Sequence, residues 1–78
     1  MKLLRRLGVV VHVSMNSRNL IVKAETTPRV GDPVFDSKLR RVGVVFDILG
    51  PVSNPYVSAK PEVDNPERYV GKPLYLTS

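Results

Sequence analysis

The residues with side chains capable of chemistry are few and scattered along the chain. There is one histidine, His12, no cysteine, and seven carboxylates, at Glu25, Asp32, Asp36, Asp47, Glu62, Asp64 and Glu67. None of the carboxylates falls in a recognisable acid–base or metal-loop motif. The absence of cysteine excludes disulfides, thiolate metal sites and a cysteine nucleophile. The five glycines stand singly, so the chain has no glycine-rich phosphate loop. We therefore expect no catalytic residue, no metal ion and no cofactor.

Charge points to an anionic partner rather than to a reaction. Twelve Lys and Arg residues against seven acidic ones leave a net charge of +5. A basic small domain most often binds nucleic acid. A soluble protein surface with a modest excess of basic residues has the same composition. Two clusters concentrate the charge, Lys2, Arg5 and Arg6 at the start and Lys38, Arg40 and Arg41 in the middle. Each suits contact with RNA phosphates, contact with an acidic protein patch, or simple solvation.

The elements that must position these residues are short strands. Apolar stretches are rich in Val, Ile, Phe and Tyr, and seven prolines and five glycines punctuate them. The pattern predicts six strands, at residues 6–14, 20–25, 34–37, 40–49, 56–60 and 73–77. One helical turn is predicted at residues 65–71, with Asn65 capping it, Pro66 at its first position and Gly71 at its stop. Six short strands avoid exposed edges by closing into a barrel, so we expect one β-barrel domain over residues 1–78.

Strand alternation predicts which side chains share a face. In the first strand Val9, Val11 and Val13 lie on one face, which places His12 on the opposite, solvent side. In the long fourth strand Val42, Val44, Phe46 and Ile48 alternate with Gly43, Val45, Asp47 and Leu49. A glycine inside a strand, here Gly43, indicates a bulge or a close backbone approach.

The connection between the fourth and fifth strands is the most specific feature of the sequence. Apolar groups surround a turn stiffened by Pro51 and Pro55, namely Ile48, Leu49, Pro51, Val52 and Tyr56. A stiff apolar turn loses little entropy on binding and suits docking to another protein. The alternative is that the turn folds over the barrel mouth and caps it.

The same segment resembles the signature of a known family. The matching runs are Val42-Gly43-Val44-Val45 with Asp47, Gly50-Pro51-Val52, Pro55-Tyr56-Val57-Ser58 and Lys60-Pro61, supported by Leu7-Gly8 with His12 and by residues 30–35 and 71–75. They resemble the small accessory subunit of box H/ACA ribonucleoproteins, in the glycine- and arginine-rich protein family. The glycine- and arginine-rich tails of eukaryotic members have no counterpart here, which fits an archaeal form working in the cytoplasm.

The resemblance implies a fold, a partner and a set of docking residues. The fold would be a six-stranded barrel similar to the second domain of translation elongation factors. The partner would be the pseudouridine synthase of a guide-RNA particle, which supplies the catalytic aspartate, while the barrel affects substrate loading and release without needing to grip RNA. Carried onto this sequence, the partner-binding residues are Leu49, Gly50, Pro51, Val52 and Tyr56, with Val57 and Ser58 as neighbours.

Two other functions remain open on the sequence. One is a free-standing RNA-binding barrel that uses the basic clusters, although three Tyr, two Phe and no Trp supply few stacking surfaces. The other is a detached barrel of translation-factor type. An apolar docking turn without its partner is also able to pair with a second copy of the chain.

Overall fold

The chain closes into an antiparallel barrel. The computed structural model describes residues 4–77, and the strand order around the barrel is β1-β2-β5-β4-β3-β6. The strands are β1 Leu4–Val13, β2 Leu20–Ala24, β3 Pro33–Phe35, β4 Arg41–Leu49, β5 Tyr56–Pro61 and β6 Pro73–Thr77, and a 3₁₀ turn spans Pro66–Tyr69. The predicted all-β, six-stranded closed barrel with one helical turn before the last strand is confirmed. Within the described range, no helix is long and apolar enough to cross a membrane.

The core is a set of aliphatic side chains drawn from every strand. The buried hydrophobic residues are Leu7, Val10, Leu20, Val22, Val34, Val42, Val45, Val57, Ala59, Leu74 and Leu76. Val, Leu and Ala pack without polar atoms that would need partners, so this small interior stays dry. The barrel is filled by its own side chains, which leaves its outer surface for function.

Register shifts overturn the predicted alternation in β1 and β4. The register of β1 against β2 shifts between Val10 and His12, so Val11 is an extra residue. Val10 is consequently buried, while Val11 and His12 are both exposed. The prediction that Val9, Val11 and Val13 share an inner face is therefore wrong, although the prediction that His12 faces solvent is confirmed.

The bulge in β4 has the same effect on Phe46. The register of β4 against β5 shifts between Val45 and Asp47, and Phe46 is 60% exposed. Val45 is buried and Ile48 packs against the core. The predicted grouping of Val42, Val44, Phe46 and Ile48 on one face is wrong, because β4 has an extra residue at Val42 in its register against β3 and another at Phe46 in its register against β5.

Gly43 marks a close approach of two backbones, as predicted. A Cβ atom at this position would overlap the carbonyl oxygen of Lys60 on β5. Gly43 pairs with Pro61 in the ladder, so the lack of a side chain at this position lets β4 and β5 stay paired from Gly43 to Leu49.

The helical turn is held by its backbone and by β1. Pro66 occupies the first position as predicted, and Gly71 follows the turn with a φ of 84°. The predicted side-chain cap by Asn65 is wrong: its side chain makes no capping bond, and its carbonyl instead accepts the Arg68 amide at 3.1 Å. The Gly71 amide donates to the Val10 carbonyl at 2.8 Å, which ties the turn to β1.

We predict that Gly43→Ala destabilises the barrel by about 3 kcal/mol, because β4 and β5 must separate to admit a methyl group. Gly71→Ala is the comparison: a Cβ atom there meets nothing within 4 Å, and only the positive φ opposes it. We expect that second change to cost about 1 kcal/mol. Urea unfolding followed by circular dichroism measures both, and equal losses would contradict the close-approach argument.

Candidate functional site

Most carboxylates of the described residues are engaged in ion pairs. Within residues 4–77 no group of three or more His, Cys, Asp and Glu residues is arranged to hold a metal ion. Carboxylates instead bind guanidinium groups, in the pairs Arg6–Glu25, Arg18–Glu67, Arg40–Asp36 and Arg41–Glu62. Glu25, Glu62 and Glu67 are thus ion-pair partners at exposed positions, and Asp36 is one at a buried position. The candidate features described next are an exposed turn, a groove and a hollow.

The turn between β4 and β5 projects from one end of the barrel. Gly50 opens it with a φ of 82°, and the Asn54 amide donates to the Pro51 carbonyl at 3.2 Å. Pro55 is buried, and its carbonyl accepts the Ala24 amide at 3.0 Å, which fixes the turn to β2. At the tip, Pro51 is exposed and the Val52 side chain is 90% exposed. The tip does not fold over the barrel mouth, so its apolar groups are free for contact.

Beside this turn lies an apolar groove on the outer face of β1, β2, β4 and β5. Its volume is about 540 Å³, and its lining consists of Val11, His12, Ile21, Leu49, Gly50 and Tyr56. Leu49 and Tyr56 are register partners across β4 and β5, with exposed fractions of 43% and 39%. The bulge in β1 supplies Val11, which is 40% exposed. We call this set of six residues the apolar groove.

Two residues of the predicted docking set do not reach the surface. Val57 is fully buried in the core, and Ser58 is only 7% exposed because Asn19 covers it, its Nδ2 atom donating to the Ser58 Oγ atom at 3.0 Å. Their side chains therefore hold the barrel together rather than meeting a partner. The docking prediction narrows to Leu49, Gly50, Pro51, Val52 and Tyr56, which the fold does bring together.

Sequence reasoning missed Val11 and Ile21 as members of the groove. Val11 was assigned to an inner face because strict alternation cannot show a bulge. Ile21 lies on the face of β2 opposite the buried Leu20 and Val22, and its proximity to Tyr56 depends on the pairing of β2 with β5. That pairing joins segments far apart in the chain and leaves no local signal.

The two predicted basic clusters have different surroundings. Lys2 of the first cluster lies outside the described residues, and Arg6 binds Glu25 at 2.9 Å. In the second cluster, Arg41 binds Glu62 at 2.6 Å. Lys38 and Arg40 instead line a surface hollow of about 190 Å³ together with Asp36, Ser37, Arg68, Tyr69, Lys72 and Pro73. We call this the basic hollow.

Arg68 and Lys72 join this hollow from the 3₁₀ turn and the loop after it. They lie about thirty residues along the chain from Lys38, so no local sequence pattern indicated that Arg68 and Lys72 lie beside Lys38. The Lys72 Nζ atom lies 6.0 Å from the centre of the Tyr69 ring, at the outer limit of a cation–π contact. The Tyr69 hydroxyl donates to the Asp36 Oδ2 atom at 3.2 Å, which anchors the ring in the wall.

Asp36 organises the floor of the hollow. It is 7% exposed, and its carboxylate accepts the amides of Lys38 and Arg40 at 2.9 and 3.0 Å and the Arg40 Nε atom at 3.2 Å. Burial alone would raise the pKa of this carboxyl. The hydrogen bonds from the Arg40 and Lys38 amides, the Arg40 guanidinium and the Tyr69 hydroxyl outweigh burial and lower the pKa below its ordinary value. Asp36 therefore stays ionised at neutral pH.

Comparison with known proteins gives one family and one close relative. A family model described as the Gar1/Naf1 RNA binding region matches residues 4–78. An uncharacterized protein of Methanothermobacter thermautotrophicus is 43% identical over 77 residues, which cover 94% of this chain and 83% of the relative. The match extends over the whole barrel, so it includes the apolar groove and the basic hollow.

We predict that Asp36→Asn lowers the free energy of unfolding at pH 7 by about 2 kcal/mol, because an amide cannot replace a buried anion that accepts four donors. The lowered pKa of Asp36 contributes stability that is present above the unfolded value of 3.8 and lost as pH falls through the folded value. Unfolding in urea between pH 2 and pH 7 should therefore show a shallower acid loss in the variant. Asp64→Asn, at an exposed carboxylate, is the control, and an equal effect of both changes would contradict this assignment.

Proposed function

Because the chain belongs to the Gar1/Naf1 family, we propose that it is a non-catalytic accessory subunit of the box H/ACA ribonucleoprotein. In this proposal the barrel docks on the pseudouridine synthase of the particle and aids substrate loading and release during modification of ribosomal RNA. In this proposal the protein acts in the cytoplasm of an archaeal cell. The organism of the relative supports the archaeal source.

The observation that carries the docking proposal is the exposed apolar surface at one end of the barrel. Val52 is 90% exposed at the tip, and Leu49 and Tyr56 are each about two-fifths exposed in the groove beside it. The core is already complete without these side chains. A contiguous apolar surface that a chain does not use for its own interior is typical of a protein–protein contact.

The geometry of this surface suits tight docking in three respects. The turn is held at Pro51, Asn54 and Pro55 by backbone hydrogen bonds, so little conformational entropy is lost when a partner binds it. Tyr56 offers an aromatic anchor, a residue type enriched at interface hot spots. Polar groups stand around the apolar centre, with Lys23 opposite Tyr56 in the ladder and Asp47 opposite Ser58. An apolar centre with a polar rim is the usual anatomy of an interface.

The proposed effect on substrate turnover follows from this mode of binding. A barrel that presents a rigid turn is able to hold a mobile segment of the synthase in one of its conformations. Any preference for one conformation shifts the equilibrium of that segment by the difference in binding free energy. The barrel would thus influence when RNA enters and leaves while the synthase performs the reaction.

We predict that Tyr56→Ala and Pro51→Asp each weaken binding to the synthase by about 2 kcal/mol, or about 30-fold. Tyr56→Ala removes the aromatic anchor, and Pro51→Asp places a charge on the apolar tip. Calorimetric titration of the purified synthase with each variant measures the change. Thermal unfolding checks that the barrel remains folded.

Leu39→Asn is the matched control. Leu39 is 61% exposed, its φ of 66° suits asparagine, and it precedes β4, at the end opposite the apolar groove. We expect this variant to bind the synthase like the unaltered chain. Unchanged affinity for both Tyr56→Ala and Pro51→Asp would rule out the turn and groove as the docking surface.

A further inference from the structure

The basic hollow is not explained by docking through the apolar groove. Lys38 and Arg40 precede β4, whereas Leu49 and the apolar groove lie at its other end. The nine residues of β4 extend over about 30 Å at the usual rise per residue. The two surfaces therefore lie at opposite ends of the barrel and are able to meet different partners at the same time.

The hollow carries a clear excess of positive charge. Four cationic side chains line it, Lys38, Arg40, Arg68 and Lys72, against the single carboxylate of Asp36. Asp36 is already bound to Arg40 and to the Tyr69 hydroxyl. Like charges held around one concavity repel each other, so an entering anion would relieve this repulsion.

Two nearby carboxylates are engaged elsewhere and do not neutralise the basic hollow, and a third, Asp64, lines only the adjoining hollow. Glu67, which precedes Arg68 in the chain, binds Arg18, and Glu62 binds Arg41. Within the described part of the chain, Lys38, Arg68 and Lys72 have no carboxylate within ion-pair distance. Three cations therefore have donors available for a ligand.

The shape of the surface favours a chain of anions over a single one. A second hollow of about 250 Å³ adjoins the first and shares Arg40, Arg68 and Tyr69 with it. It adds Arg41 and one carboxylate, Asp64, so its lining still carries more positive than negative side chains. Each hollow has room for a phosphate group and its water but not for a large organic ligand. Arginine forks match phosphate oxygens bidentately, and lysine adds charge. Two adjoining hollows suit successive phosphates of one flexible strand.

We propose that the basic hollow, together with the hollow beside it, binds the phosphate backbone of single-stranded RNA through Lys38, Arg40, Arg68 and Lys72. The choice of RNA over an acidic protein is supported by the narrow concavities, which a flexible strand enters more readily than the carboxylates of a folded surface. The description of the matching family as an RNA binding region agrees with it. The inference adds a second contact to the proposed function and does not use the apolar groove.

The test is a fluorescence anisotropy titration of the full chain with a labelled single-stranded RNA 12-mer at several salt concentrations. Neutralisation of four phosphates gives a slope of log K against log salt of about −3. The double variant Arg68→Gln/Lys72→Gln should reduce this slope to about half and weaken binding roughly 20-fold near 0.1 M salt. Thermal unfolding of the variant checks that its barrel is intact.

The control double variant is Arg29→Gln/Lys60→Gln. It removes one arginine and one lysine from exposed positions outside both hollows and gives the same net charge. We expect it to weaken RNA binding by less than about threefold, because distant charges are screened at this salt concentration. Equal losses in the two double variants would overturn the proposal, since they would show dependence on net charge alone. The absence of RNA binding by the unaltered chain would also overturn it.

Two parallel titrations separate this inference from its alternatives. A poly-glutamate 12-mer tests for an acidic protein ligand, and binding as tight as that of RNA would overturn the choice of RNA. The synthase titration with Arg68→Gln/Lys72→Gln should match the unaltered chain.

If the unaltered chain does not bind RNA but does bind the synthase, the inference falls and the proposed function stands. If Tyr56→Ala and Pro51→Asp keep full synthase affinity while RNA binding persists, the docking proposal falls and the inference stands.

Discussion

The close contact of β4 with β5 at Gly43 is the constraint on which the rest of this barrel depends. Without a side chain there, the backbone of Gly43 lies against the Lys60 carbonyl, and the two strands remain paired from Gly43 to Leu49. The bulge at Phe46 then adds twist to the pair. The first residue of β4 follows Arg40 of the basic hollow, and its last residue, Leu49, lines the apolar groove. A wider separation of these strands would disturb both surfaces.

A barrel this small is filled completely by its own aliphatic side chains. The groove and the hollows described above lie on outer faces and turns, so the positions that bulges turn outward become important. Val11 and His12 face outward together because β1 contains one residue more than β2 at that point. The bulge thus converts a residue that would otherwise lie inside into part of the apolar groove.

The two surfaces differ in the physics of the contacts they favour. The apolar groove and its turn would bind a partner through buried apolar area and rigidity, and salt affects such contacts little. The basic hollow would bind through charge, and salt weakens such contacts strongly. Asp36 gives the hollow its form, since it holds Arg40 and the Tyr69 ring in place while remaining ionised. An accessory subunit with both surfaces would join a protein and an RNA strand at opposite ends of one rigid body.

The sequence by itself determined the approximate positions of the strands and the proline-stiffened turn after β4, because these depend on local patterns. Barrel closure followed from the number of short strands, which would otherwise leave exposed edges. Alternating Val and Ile residues, prolines at turn positions and an isolated Gly43 each report the conformation of their own segment. Three things were decided only by tertiary structure: the bulges at Val11 and Phe46, the burial of Ser58 under Asn19, and the meeting of Arg68 and Lys72 with Lys38. Each depends on the register between segments distant in the chain. Residue periodicity does not indicate that register, because the register is set only when the whole barrel packs around its core.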